Sequence, residues 1–510
     1  MKKKLLAMML TSAMVISAFA GCGQTEEQTN VESPSIAETT VTNTTEESKV
    51  EEPKEIRNVK WILRGNQSED HEKVMTAVNE ILNEKYYLNL DLQPTANSEI
   101  AQRLELMITS GEAFDLAYTN AKTFNVNVER EAWLPLNDLL ENTEIGHKLM
   151  EVYPEFLLDY GTVDGTIYAL PNYQKIYTQY CAFVPKELAD KYGLDPDAKY
   201  DTLEDMEPFM QKVLEGEQNI WPLAVSKGSA YDYAFGKPVD TLVNGFVVER
   251  DDAEYKVIPN YEQETLLYAK RKLNEYFHKG YIREDVATVV DDSADLMAGR
   301  YAIYLGVHKP GGEVDHGAKY GGEYYMIPFG EPILDYNGAI GTMTAINVNS
   351  EDPEAALEML YVMWTDPEVY NMCLFGLEGE HYTKVAADRV EQPEGNKYNM
   401  AGTYGWQLGN QFNAWKMKGQ ADDVWTVTEE LNSSAELSHL SGFTYSTADI
   451  QAELAIYNST LEQYGYSFIY AKDFDAWLAE SSKALKESNE GLVIENLQKQ
   501  VDAWRAANGK

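Results

Sequence analysis

The chain has 510 residues, with 83 acidic against 42 basic side chains and a formal net charge of -41. An acidic excess of that size disfavours nucleic acid or an anionic bilayer face as the partner, although a local basic pocket is compatible with any net charge. Beyond position 55 roughly 455 residues remain, more than one hydrophobic core usually organises, so two lobes are the expectation.

Residues Met1 to Lys4 and the apolar run from Leu5 to Ala20 have the charged-then-apolar pattern of a secretory signal. The run is short for a membrane anchor, which needs about 20 apolar residues. It ends at Phe19-Ala20-Gly21-Cys22. That ending resembles the lipobox of bacterial lipoproteins, with Phe19 where Leu is preferred, and implies that 1–22 is a lipoprotein signal peptide and lipobox, cleaved just before Cys22, with lipidation of Cys22 as the first mature residue. Two acyl chains hold a protein at a bilayer far better than one. Residues 23–55 are Thr, Glu, Ser, Asn and Gln with almost nothing large and apolar. Such a segment cannot bury enough surface to offset ordering entropy, and it reads as a solvated tether. After Cys22 only Cys181 and Cys373 follow, too few for a disulfide framework and in no metal-ligand spacing, so both read as buried small apolar residues.

The folded part begins with a strand, Val59 to Leu63, then Val74, Val78, Ile81 and Leu82 at helical spacing. Leu88, Leu90 and Leu92 alternate as a half-buried strand does. Ile100, Leu104, Met107 and Ile108 give a second helix ending at Ser110-Gly111, and Phe114 to Tyr118 a third strand. This strand-helix-strand-helix-strand order is that of a parallel sheet with helical crossovers, and the fold class is α/β. Ligands of such sheets bind outside the carboxyl ends of the strands. Those ends carry Asn66, Gln67 and Asn120, read either as hydrogen-bonding groups for a ligand or as helix caps. Arg64 beside them reads as half of a surface ion pair, the alternative being a bidentate contact to a carboxylate-bearing ligand.

Farther on, Val163 to Asn172 is a turn and strand ending at a proline, a place for the backbone to leave one lobe. Leu203, Met206, Met210 and Val213 follow the cap candidates Asp201 and Thr202. Tyr301 to Val307 and Thr342 to Val348 read as strands. Asp352-Pro353-Glu354 and Asp366-Pro367-Glu368 each combine an N-cap, a first-turn proline and an acid near the positive end of the helix dipole. Ile494, Leu497, Val501 and Trp504 line a last helix.

Five segments then carry a family resemblance: Ser110 to Asp115 (SGEAFD), Trp133 to Asp138 (WLPLND), Val163 to Tyr173 (VDGTIYALPNY), Tyr361 to Tyr382, and Trp406 to Phe412 (WQLGNQF). They resemble the lipoprotein solute-binding components of ABC importers, in the subgroup related to the LipO and LplA lipoproteins of Gram-positive bacteria. The resemblance implies a two-lobed periplasmic-binding-protein-like fold with a hinge of three crossing segments. The first lobe would take 56–168 plus 342–385, the second 169–341 plus 386–510. It also implies capture of a sugar, an oligosaccharide or sometimes a peptide between the lobes, with delivery to membrane permease subunits. Further implications are a monomer without catalysis, cofactor or metal, held at the extracellular face of the membrane.

The 34 tyrosines and nine tryptophans suit such a solute. A pyranose offers C–H faces to rings and hydroxyls to amides and carboxylates. Tyr173 and Gln174 after the first crossing, Tyr231 in a Gly-bounded loop, and Trp406, Gln407 and Asn410 complete the candidate site. The rival reading is an extracellular glycoside hydrolase, which needs paired carboxylates; among 83 acids such pairs arise by chance. No Gly-x-Ser-x-Gly elbow, phosphate loop or His-Glu-x-x-His helix is present. Glu313, Asp315 and His316 read as a solvated Gly-rich loop, and Glu380-His381 as a structural pair at a helix end. A third reading, a lipoprotein that binds a protein partner, calls for an exposed apolar patch instead of a cleft.

Overall fold

The structure, a computed structural model, describes residues 55–510 apart from positions 98, 122, 227–231, 237, 238, 244 and 337. The signal sequence, Cys22 and Tyr231 therefore lie outside the described residues.

The opening run folds in the order its periodicity predicts. Strand β1 (Arg57–Arg64), helix α1 (His71–Tyr86), strand β2 (Leu88–Thr95), helix α2 (Ile100–Ser110) and strand β3 (Leu116–Thr119) alternate. β1 pairs in parallel with both β2 and β3. Met343–Ile346 and Leu170–Pro171 extend the sheet on the β3 side as antiparallel strands. Helices Pro353–Thr365 and Pro367–Phe375 start as the sequence requires: Asp352 accepts the Ala355 amide at 2.9 Å, and Asp366 accepts those of Glu368 and Val369.

A second four-stranded sheet has the order Tyr324–Pro328, Tyr180–Pro185, Tyr301–Val307, Trp221–Leu223. Its core gathers residues from Ala182 to Phe329 together with Phe468, Ile469 and Phe474. A further core joins Phe246 and Val248 to Tyr457 and to Val493, Leu497 and Val501 of the last helix, Glu490–Ala507. The first core draws on 59–170 and 340–408. The fold is thus the two-lobed α/β architecture of periplasmic binding proteins.

Two expectations need correction. The first core does not stop at 385: Val390, Tyr398, Met400, Tyr404 and Leu408 are all buried in it. Tyr398 donates to the Cys373 carbonyl at 2.7 Å, and Tyr370 donates to that of Gly405 at 2.7 Å. Ring-bearing side chains, with no repeating period, hold this irregular stretch to the lobe. Glu313, Asp315 and His316 do not form a solvated loop but lie in the helix Gly312–Tyr320, where His316 is buried. The glycine at 311 has φ +78° and caps that helix. Cys181 and Cys373 are free and buried, and burial pushes both thiols up.

Three segments connect the first core to the others: 172–179, 333–342 and 409–424. They are hydrogen-bonded to one another. Tyr173 donates its amide to Gly409 at 2.7 Å and accepts that of Gln411 at 2.8 Å, while Thr178 and Ile333 exchange amides at 2.7 and 2.9 Å. The buried Asn172 ties all three: its Nδ2 donates to Thr342 Oγ1 at 2.9 Å, and its Oδ1 accepts from Thr344 Oγ1 and the Gly409 amide, both at 3.2 Å. Gly409 can approach because it lacks a side chain; a Cβ there would lie 2.8 Å from Trp364.

Candidate functional site

At the carboxyl end of β1 the loop 402–410 folds back against the strand. Gly65, with φ +146°, makes the approach possible, since a Cβ on it would meet Thr403 Cγ2 at 2.3 Å. Gln407 fastens the two together. Its Oε1 accepts the Arg64 amide at 3.0 Å and its Nε2 donates to the Arg64 carbonyl at 2.8 Å. With a further bond to the Thr403 carbonyl and no exposed surface, Gln407 is a backbone staple. The sequence reading placed Gln407 in the ligand site; in the fold its amide bonds the strand end.

The staple sets its neighbour. Trp406 is half-buried, its Nε1 donates to the Gly402 carbonyl at 3.0 Å, and Tyr118 at the end of β3 meets it edge to face with centroids 6.1 Å apart. Asn120 donates to Tyr118 Oη at 2.9 Å. Arg64 completes the group, its Cζ 5.7 Å from the Trp406 ring centroid and its Nε donating to Asn97 Oδ1 at 2.6 Å. Asn120 and Trp406, distant in sequence, thus meet through Tyr118, a residue the sequence reading placed only as a strand end. The expectation of a surface ion pair for Arg64 is not met: it contacts an amide, a ring and the staple, with no carboxylate among the described residues.

The other candidates lie elsewhere. Asn66 is exposed after the strand end. Gln67 donates to Glu72 in the first turn of α1 at 3.2 Å and borders a groove of about 520 Å³ along the edge strand β2. Tyr173 belongs to the crossings. It stacks on Trp364 at 6.1 Å and 8°, lies 4.5 Å from Phe412, and burial raises its hydroxyl to about 12. With Phe156, Tyr160, Ile176, Leu334 and Leu437 it lines a cavity of about 540 Å³. Asn410 bridges Tyr173 through its backbone and caps the next turn by accepting the Phe412 amide at 3.0 Å. Gln174 gives its carbonyl to Asn432 Nδ2 at 2.8 Å.

Lys175 and His308 are neighbours that the sequence reading missed. The Lys175 ammonium donates to the Tyr177 carbonyl at 2.7 Å and lies 4.5 Å from the Tyr177 ring centroid. Burial first, and then the charge of Lys309, pull it down to about 8. Tyr177 Oη and His308 Nδ1 are 3.1 Å apart, and burial holds His308 down at about 4.

Asp70, Glu380 and His381 bring three possible metal-ligand atoms within 4.8 Å of one another. Their hydrogen bonds make them a staple instead. The Leu377 amide donates to His381 Nδ1 at 3.0 Å, so the proton sits on Nε2 and is donated to Asp70 Oδ2 at 3.0 Å, while Lys73 occupies Glu380. This bond holds the Asp70 carboxyl below its ordinary range.

No family model matches the chain. A carbohydrate ABC transporter substrate-binding protein of Streptococcus pneumoniae is 25% identical over 462 residues, covering 88% of this chain and 90% of the relative. Among solved structures, an N-glycan transport solute binding protein (NgtS) from the same species superposes with a TM-score of 0.77 at 22% identity, over 88% of this chain and 98% of its own. The same protein in complex with Man5GlcNAc gives 0.65 at 23% identity, over 88% and 98%.

Proposed function

We propose that this chain is the extracellular solute-binding component of a carbohydrate ABC importer, taking a sugar or oligosaccharide between its lobes and delivering it to membrane permease subunits. The observation that carries the reading is the set of three mutually hydrogen-bonded crossings that alone join the first core to the others among the described residues. A hinge of this kind lets two lobes rotate while each core stays packed. At the strand ends beside it, Trp406, Tyr118 and Asn120 offer a ring face and amide donors and acceptors, the chemistry a pyranose needs. The relative that transports carbohydrate, similar along nearly its whole length, agrees with this solute class. Differential affinity for the closed arrangement sets how far a ligand shifts the lobes, and the closed form is what a permease distinguishes.

The protein is anchored by lipid on Cys22, with 23–55 as its tether and without catalysis of its own. Cells labelled with an alkyne fatty acid should label the wild type and not Cys22→Ala. The solute reading is tested on mature protein by thermal shift against a carbohydrate panel. Saturable stabilisation by a glycan supports it. Stabilisation by peptides alone would replace the sugar with a peptide, and turnover of a panel member would make the protein a hydrolase.

A further inference from the structure

Arg64 is out of place in a chain with twice as many acids as bases. Its Nε is held by Asn97, its backbone is clamped on both sides by Gln407, and its guanidinium lies against Trp406. No partner for either Nη is found among the described residues, and Arg64 is half-buried. A guanidinium is always charged, and its two Nη atoms form a planar fork matched to a carboxylate. Fixing the side chain in advance lowers the entropy lost when that fork is filled. Its place is the carboxyl end of β1, an interior strand flanked in parallel by β2 and β3, where open α/β sheets receive ligands. Among the described residues no acid supplies a counter-ion here, so the missing charge is the ligand's to bring.

We infer that Arg64 is an anion-recognition residue of the solute site, and that the preferred solute is a glycan carrying a carboxylate, a uronate or sialate, bound bidentately beside Trp406. The inference rests on the proposed carbohydrate function and narrows it. Screening follows directly: an ion pair at a half-buried site weakens as salt rises, whereas stacking and neutral hydrogen bonds change little.

The test is calorimetric titration of the mature protein with trigalacturonate and 3′-sialyllactose against their uncharged counterparts, methyl-esterified trigalacturonate and lactose. An acidic member should bind about ten-fold or more tightly than its neutral counterpart, and weaken between low and high salt. Arg64→Gln should collapse that preference, and Arg64→Lys, which keeps the charge without the fork, should restore part of it. Thermal midpoints close to that of the wild type show that both variants fold. Equal binding of acidic and neutral partners, or an Arg64→Gln protein that keeps the preference, overturns the inference and leaves the carbohydrate reading standing. Binding by no member of this panel or of a wider neutral panel overturns both.

Discussion

Asn432 and Ile176, 256 positions apart, are joined by a hydrogen bond of 2.9 Å in which the Asn432 Oδ1 accepts the Ile176 amide. The same oxygen accepts the Tyr177 amide at 3.3 Å, and Nδ2 donates to the Gln174 carbonyl at 2.8 Å. One side chain on the helix Val424–Ser434 thus satisfies three backbone groups of the first crossing. Asn432→Ala leaves buried amides without partners, and a loss of about 1–3 kcal/mol in denaturant unfolding is expected. Asn432→Asp keeps the acceptor but not the donor and adds charge, so it should fall no less far.

Trp406 and Gln407 are adjacent but should separate binding from stability. Trp406→Ala removes a half-buried ring at the strand ends, and glycan affinity should drop about ten-fold or more with little change in melting temperature. Gln407→Ala strips the Arg64 backbone of two partners inside the fold, so stability should fall by about 1–3 kcal/mol. Loss of stability equal to the loss of binding in Trp406→Ala would assign that ring to the core.

The parallel run from β1 to β3 was legible because two periods, of 2 and about 3.6, alternate without interruption. Capped starts at Asp352 and Asp366 were legible for a local reason, an oxygen at a fixed offset from unpaired amides. Residues 386–408 were not, since the burial of Val390, Tyr398 and Leu408 follows from tertiary contacts without periodicity. The site divides in the same way. Position at a strand end is readable from sequence, and Asn120 and Trp406 do meet there through Tyr118. What an amide side chain bonds to is not, so Gln407 and Asn410 turned out to serve backbone. Arg64 looked like half of an ion pair because most surface arginines find an acid; only the folded neighbourhood reveals otherwise.

Lys175 carries its charge at a cost. Its ammonium faces the Tyr177 ring and carbonyl, with burial and then the charge of Lys309 opposing it and the charge of Asp335 favouring it. Because the folded value, about 8, lies below the ordinary 10.5, the unfolded chain binds more protons between those pH values. Stability from this group therefore rises as pH climbs from 8 towards 10.5, and the full penalty is present below 8. Lys175→Met should raise the thermal midpoint at pH 7, and its advantage over wild type should shrink in scans at pH 9 and 10. An unchanged difference across that range would show that the ammonium is not penalised.

His316 provides the acid-side counterpart. Its ring stacks on Phe183 at 4.3 Å and 6°, with Tyr320 and Tyr324 at 4.7 and 4.5 Å. Its Nε2 has no hydrogen-bond partner among the described residues, and burial, with Lys319 second, pulls it down from 6.5 to about 4. The unfolded chain then takes up a proton that the folded chain refuses, so stability falls as pH drops from 6.5 towards 4, by roughly 3 kcal/mol in all. His308, also near 4, adds a loss of the same sign. His316→Phe keeps a ring against Phe183 and cannot titrate, so urea midpoints measured between pH 7 and 4.5 should decline less steeply than in the wild type. Parallel declines in the two proteins would mean that His316 is already protonated, or reaches solvent, in the folded state.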